Sequence, residues 1–185
     1  MRKFTAALSL VLCLLLLTAC SAGKTENQAD NNDTRVFGDF SAKDLNGNEV
    51  TQKIFEENKL TMVNIWATFC GPCINEMPYL GELAEEYKDK GVAIIGIPVD
   101  ITDANGTVNS SLFNKAVNIV DETNADYVHI VPTASMLSGK LASVYSVPET
   151  IFIDSEGNQV GGSYVGAKSK AQWKMIIENL LGEVQ

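Results

Sequence analysis

Apolar residues recur with two different periods along this chain, and the switch between them marks its elements. Residues 60–66, 92–99 and 150–154 are apolar runs rich in β-branched side chains and read as buried strands. A turn at 155–158 leads into a fourth strand over 159–165. Residues 72–88 place Ile74, Met77, Leu80, Ala84 and Tyr87 on one helical face, with Pro78 expected to kink the helix. Residues 169–181 carry a second stripe, Trp173, Ile176, Ile177, Leu180 and Leu181, which predicts a closing helix. Upstream, residues 37–45 and 49–50 flank Asn46-Gly47-Asn48 and predict a hairpin with an Asn-Gly turn, followed by a short helix at 51–58. The middle is patterned more weakly. It predicts a helix at 110–120, a strand at 128–131 and a helix at 136–145. Strands alternating with helices predict an α/β domain, with no internal repeat and no second domain boundary.

The first residues follow neither period. Arg2 and Lys3 precede an uncharged, Leu-rich run from 6 to 19, which reads as a signal peptide over 1–19. Stretched over 4–23 the run reaches the length of an uncleaved anchor, the alternative reading. Leu17-Thr18-Ala19-Cys20 resembles the bacterial lipoprotein box, and that resemblance implies cleavage before Cys20 and diacylglycerol on its thiol. Two acyl chains supply the two signals that stable anchoring needs. Residues 21–34 are polar or small, too poor in apolar surface to offset ordering, so 20–35 is read as a lipidated Cys and a flexible tether. The folded domain is then 36–185.

Composition narrows the function. The whole chain has a net charge of −9, and loss of Arg2 and Lys3 with the signal leaves 12 basic against 23 acidic residues, a net −11. Nucleic acid wants a basic face, so it is excluded as a partner, and so is electrostatic docking on anionic lipid. Four cysteines are present. Cys13 leaves with the signal and Cys20 would be capped, so two free thiols remain, Cys70 and Cys73. Disulfides that staple secreted domains close long loops. A bridge across two residues closes almost none and constrains the unfolded chain little. The pair is better explained by chemistry than by stability.

Trp66-Ala67-Thr68-Phe69-Cys70-Gly71-Pro72-Cys73 leaves a predicted strand and enters a predicted helix. Cys70 therefore falls at a helix N-terminus, where unpaired N–H groups and the macrodipole favour a thiolate, the nucleophile of disulfide exchange. Pro72 lacks an N–H that the first turn would leave unpaired anyway. Cys73 lies one turn in, less exposed, placed to attack a mixed disulfide. A zinc site would need four ligands, and the mature chain offers two thiols and a distant His129, so no metal and no other cofactor is expected. Glu76, three residues after Cys73, shares its side of the helix. If half-buried, it would have a raised pKa and could take the Cys73 proton; a solvated helix Glu is the plain alternative.

W-x-x-x-C-G-P-C after an apolar strand resembles thioredoxin. The hairpin at 40–50, the insertion after the second core strand, and Val147-Pro148-Glu149-Thr150-Ile151-Phe152-Ile153-Asp154 resemble the TlpA/ResA branch of membrane-anchored thioredoxin-like proteins. The resemblance spans roughly residues 36–181. It implies a thioredoxin-like fold, a central mixed sheet flanked by helices, and a monomer. It also implies a protein-disulfide reductase working through a redox-active Cys70–Cys73 pair. Pro148 would be cis and face that pair, with Trp66, Gly71, Pro72, Val147 and Pro148 forming the substrate surface; Trp66 and Phe69 flank the site, and core and rim packing that shields the thiols is the plainer reading of both. An acid at the position of Glu76 belongs to the same branch. Asn64 departs from thioredoxin, which has a buried Asp there, and so shifts acid–base work to Glu76. The implied partners are disulfide-containing extracytoplasmic proteins and a membrane electron donor, at a bacterial cell membrane reached through the lipid. A peroxiredoxin-like peroxidase, an SCO-like copper module and a non-catalytic binding module are the rival readings. A lone peroxidatic Cys or a Cys-x-x-x-Cys with a distal His would favour the first two.

Overall fold

A computed structural model describes residues 34–184. Cys13, Cys20, the expected signal peptide and most of the expected tether lie outside the described residues. Thr34 and Arg35, at the tether's expected end, already touch the domain. The Thr34 hydroxyl donates to Asn158 Oδ1 at 2.7 Å, and Val36 N–H donates to the Gly157 carbonyl at 2.9 Å.

The elements in order are β1 (Ser41–Lys43), β2 (Glu49–Thr51), α1 (Lys53–Glu56), β3 (Leu60–Trp66), α2 (Gly71–Tyr87), β4 (Val92–Pro98), α3 (Ser110–Thr123), β5 (Val128–His129), α4 (Ala134–Ser138), β6 (Glu149–Asp154), β7 (Gln159–Val165) and α5 (Lys170–Glu183). Five strands form one mixed sheet in the order β5-β4-β3-β6-β7. β3, β4 and β5 run parallel, and β6 and β7 are antiparallel to their neighbours. β3 is buried along its whole length and central, as a continuous apolar run requires. This is a thioredoxin-like α/β fold, with the expected hairpin and, after β4, the segment that carries α3.

Local chemistry explains where the elements stop. The hairpin turn is organised by Asp44 rather than by a two-residue Asn-Gly loop: its Oδ1 accepts from Asn46 N–H at 2.9 Å and Asn48 N–H at 2.8 Å. Asp154 does the same for Glu156 and Asn158, each at 2.9 Å, between β6 and β7. In both turns the residue three after the Asp is a glycine, Gly47 or Gly157, with φ of 85° or 88°, a region costly for any side chain. The helix expected over 136–145 is instead two pieces, α4 and a 3-10 turn at Lys140–Ser143. Thr133 caps the first by accepting from Met136 N–H, and Gly139, at φ −94° and ψ −119°, breaks the helical path. α3 runs to Thr123 and ends on Asn124 at φ 50°, a left-handed cap that Asn tolerates. α5 opens on a capping box between Ser169 and Gln172.

α2 runs unbroken through Pro78. Its buried stripe is Cys73, Glu76, Met77, Leu80, Leu83 and Tyr87, rotated slightly from the expected face, with Ile74 and Ala84 half-buried. One layer of core lies between this helix, α5 and the sheet: Leu60, Met62, Leu80, Leu83, Tyr87, Val92, Phe152, Trp173 and Ile177. A second lies on the other face, where Val63, Ile65, Ile95, Ile97, Ile151 and Ile153 meet the hairpin and α4. Each fully buried aliphatic side chain contributes roughly 1.5–3 kcal/mol. The two layers therefore clamp β3, and with it the loop that follows, from both sides.

Candidate active site

β3 delivers Trp66 to the edge of the core, and the chain turns through Ala67–Phe69 into α2. Cys70 is the N-cap of that helix, in extended conformation, and forms a disulfide with Cys73 at a Cα–Cα distance of 5.3 Å. Cys73 N–H donates to Cys70 Sγ at 3.2 Å. The first-turn N–H that would stabilise a thiolate thus already points at that sulfur. Cys70 is 6% exposed and Cys73 has no exposed surface. An outside sulfur can reach Cys70 and cannot reach Cys73. That difference in access is what distinguishes the two sulfurs.

The turn before Cys70 is held by a residue that the sequence did not single out. Asp100, just beyond β4, accepts from Thr68 N–H at 3.0 and 3.1 Å, one to each carboxylate oxygen, and from the Thr68 hydroxyl at 2.6 Å. Three bonds to one carboxylate fix the loop without any contact to the sulfurs.

Across from Cys70, the Val147–Pro148 peptide is cis, and the Val147 carbonyl oxygen lies 3.6 Å from Cys70 Sγ. Pro148 is buried and Val147 half-buried, while Gly71 and Pro72 are exposed at the helix start. Gly166 N–H donates to the Pro148 carbonyl at 2.8 Å, fixing this segment to the end of β7. Behind it, Lys140 Nζ pairs with Glu149 Oε1 at 2.8 Å, both side chains largely buried.

Trp66 has no exposed surface, so it belongs to the packing around the thiols and not to a surface that a substrate touches. Alternation along β3 turns it under α2, beside Cys73 and Met77. Its indole N–H donates to His129 Nδ1 at 3.3 Å. Phe69, 74% exposed, stands beside the disulfide instead. His129 Nε2 lies 3.1 Å from the Ala125 carbonyl, so with Nδ1 accepting, Nε2 carries the proton and donates. Burial pushes the His129 pKa down to about 4, leaving a neutral ring with both nitrogens engaged and none free for a metal. Among the described residues no cluster of His, Cys, Asp or Glu is arranged to hold a metal ion.

Glu76 is buried, 2% exposed, deeper than the half-buried carboxyl the sequence suggested. Its Oε1 accepts from Asn64 Nδ2 at 3.0 Å. Its Oε2 accepts from Lys168 N–H at 3.0 Å and from the Trp173 indole at 3.1 Å. Burial raises its pKa; the bonds from Lys168, Trp173 and Asn64 pull the other way without cancelling the rise. Asn64, noted as a departure, is thus a direct partner of the acid. Trp173 was read only as core. Nothing in its helical spacing tells an indole that packs from one that also donates.

A family profile for Redoxin matches residues 31–174. The chain is 32% identical over 144 residues to a protein named thiol-disulfide oxidoreductase ResA from Bacillus thuringiensis subsp. konkukian, covering 76% of this chain and 74% of that protein. It is 29% identical over 157 residues to the protein of the same name from Oceanobacillus iheyensis, covering 79% of this chain and 74% of the relative. Among solved structures, a thioredoxin-family thiol:disulfide interchange protein from Chlorobium tepidum TLS superposes with a TM-score of 0.62 at 22% identity, over 78% of this chain and 94% of that one. A cysteine pair at a helix start, a cis proline facing it and these likenesses agree. The chain belongs to the Redoxin family, as a ResA-like thiol–disulfide oxidoreductase of the thioredoxin superfamily.

Proposed function

We propose that this protein works outside the cytoplasm, tethered at Cys20 by lipid and a segment over 20–35, and reduces disulfides in partner proteins. The observation that carries the reading is the asymmetry of the pair: one sulfur reachable at a helix N-terminus, its neighbour enclosed, with a buried acid three residues further along the same helix. Cys70 thiolate attacks a partner disulfide; that bond breaks, a mixed disulfide forms and one partner thiolate leaves. Cys73 gives its proton to Glu76 and attacks Cys70 Sγ. The mixed disulfide breaks, the second partner thiolate leaves and the Cys70–Cys73 bond closes. Two electrons pass to the partner, and the leaving thiolates take up two protons. Val147, Pro148, Gly71 and Pro72 frame the approach, where an extended partner strand pairs with the backbone at Val147. A membrane electron donor would restore the dithiol, since an extracytoplasmic reductant has no cytosolic thiol pool to draw on.

The Gly71-Pro72 dipeptide supports the reducing direction, because the same dipeptide in thioredoxin accompanies a potential of about −270 mV. Equilibration of the pure domain against glutathione or dithiothreitol should give a value near that figure, with insulin disulfides reduced on the way. A potential near −120 mV, the range of strong oxidants, would overturn the reductase reading. The tether has its own check. Cys20→Ala should move the full chain from the membrane to the soluble fraction. Unchanged retention would mean that the apolar N-terminus itself is the anchor.

A further inference from the structure

Glu76 sits in a cradle whose contacts to its oxygens are all N–H donors. Asn64 Nδ2 reaches Oε1 from β3. Lys168 N–H and Trp173 Nε1 reach Oε2 from the start of α5 and the residues just before it. None of these three can accept a proton. We infer that Asn64 and Trp173 are positioning residues for Glu76: they hold it as an ionised base three residues along α2 from Cys73 and so set the pH range in which the second sulfur reacts. The inference rests on the proposed role of Glu76 and deepens it.

The argument begins with cost. A carboxylate removed from water without a cation in contact loses most of its solvation and ordinarily takes a proton instead. Three N–H donors oppose that, because each is satisfied by the charged form, whereas a carboxylic O–H would have to face an N–H. Lys168 favours the charge from a distance, its ammonium lying 5.4 Å from the centroid of the Trp173 ring. Two further polar groups bear on this cluster: Thr150, bonded to Asn64 Nδ2 at 3.1 Å, and Tyr127, whose buried hydroxyl has no partner and feels the charge of Glu76. Neither supplies a positive charge.

Asn64 also explains how the proton could be received. Both Nδ2 hydrogens are used, one on Glu76 and one on Thr150, while its Oδ1 is buried without a partner. Turning the amide over would present Oδ1 to a newly protonated carboxyl and to the Thr150 hydroxyl together. An Asp at this position could not donate to an ionised Glu76, and would set two carboxylates side by side. Asn is thus compatible with both protonation states of the acid, which a base that takes a proton and returns it requires.

The test is the pH profile of the resolving step, measured as release of a preformed mixed disulfide on Cys70, with direct titration of the Glu76 carboxyl by carbon-13 resonance. Glu76→Gln should remove the acidic limb of the wild-type profile. Trp173→Phe keeps a ring in the core and removes one donor to the charged form. It should move that limb and the carboxyl titration to higher pH by about one unit, a roughly tenfold loss of rate below the limb. Asn64→Ala removes the donor to the other oxygen and should shift both in the same direction. It serves equally if Trp173→Phe does not fold. A folded variant of either residue whose limb and titration match the wild type overturns the inference. If Glu76→Gln itself leaves the profile intact, the fault lies in the role given to Glu76, whatever the donors do.

Discussion

Cys73→Ser is expected to accumulate partner proteins disulfide-linked to Cys70, while Cys70→Ser traps none. Both should lose steady-state insulin reduction, by on the order of a thousandfold or more, since a hydroxyl does not replace a thiolate as nucleophile. The asymmetry comes from exposure: Cys70 is 6% exposed with the Cys73 N–H on its sulfur, and Cys73 has no exposed surface. With Cys70 alone, attack proceeds and the mixed disulfide has nothing to resolve it. With Cys73 alone, a partner sulfur has no path in. Non-reducing gels of envelope fractions from cells carrying each variant would read this directly. Equal trapping by both variants would reverse or erase the assignment of roles. Trapping by neither, in folded protein, would remove the protein-disulfide substrate from the proposal.

Gly96→Ala should destabilise the domain by about 3 kcal/mol, a fall in Tm of roughly 6–12 °C. Gly96 lies in β4 directly between Asn64 of β3 and His129 of β5. A Cβ there would stand 2.2 Å from His129 Nδ1 and 3.1 Å from Trp66 Nε1, inside the hydrogen bond that joins the two rings. Ala in place of Gly ordinarily gains about 0.4–1 kcal/mol by restricting the unfolded chain, which is too little to offset a displaced ring and a broken buried bond. A second readout comes from pH. His129 binds a proton only near pH 4 when folded and near 6.5 when unfolded. Between those values the unfolded chain holds more protons, so stability is full above pH 6.5 and falls by up to about 3 kcal/mol as pH drops toward 4. Glu76, with its raised pKa, acts in the opposite sense at the acid end. In Gly96→Ala the imidazole is pushed off its buried seat, so the slope of Tm against pH over this window should flatten. An unchanged Tm with an unchanged slope would sink the account of this contact.

The cysteine pair and its helix-start placement were readable because both depend on neighbours in sequence. Leu60–Trp66 announces a strand by being apolar throughout, and Pro72 falls where only a first helical turn accepts it. Pro148 could be named only through the family resemblance of Val147-Pro148-Glu149-Thr150, since nothing in those four residues says what they face. Glu76 could be suspected because it lies three residues after Cys73, on the same side of the helix. Its partners could not. Trp173 lies 97 residues away from it and Lys168 92. Asp100 lies 32 residues from the Thr68 it clamps. Trp66 could be read as packing or as substrate surface for a related reason: at the end of a strand, periodicity says that a side chain alternates but not which face a later helix will cover.

Local pattern therefore settled the order of the elements, the α/β class and the placing of the cysteine pair at a helix start. These rest on backbone preferences and on the side-chain periods of strand and helix, which act over a few residues. Folding settled which sulfur is reachable, which acid is dry, and which donors hold it, because burial and hydrogen bonding depend on what packs above a residue. A carboxyl at Glu76 is an ordinary surface group on an isolated helix. It becomes a buried carboxyl with a raised pKa only when β3 supplies Asn64 from below and α5 brings Trp173 across it.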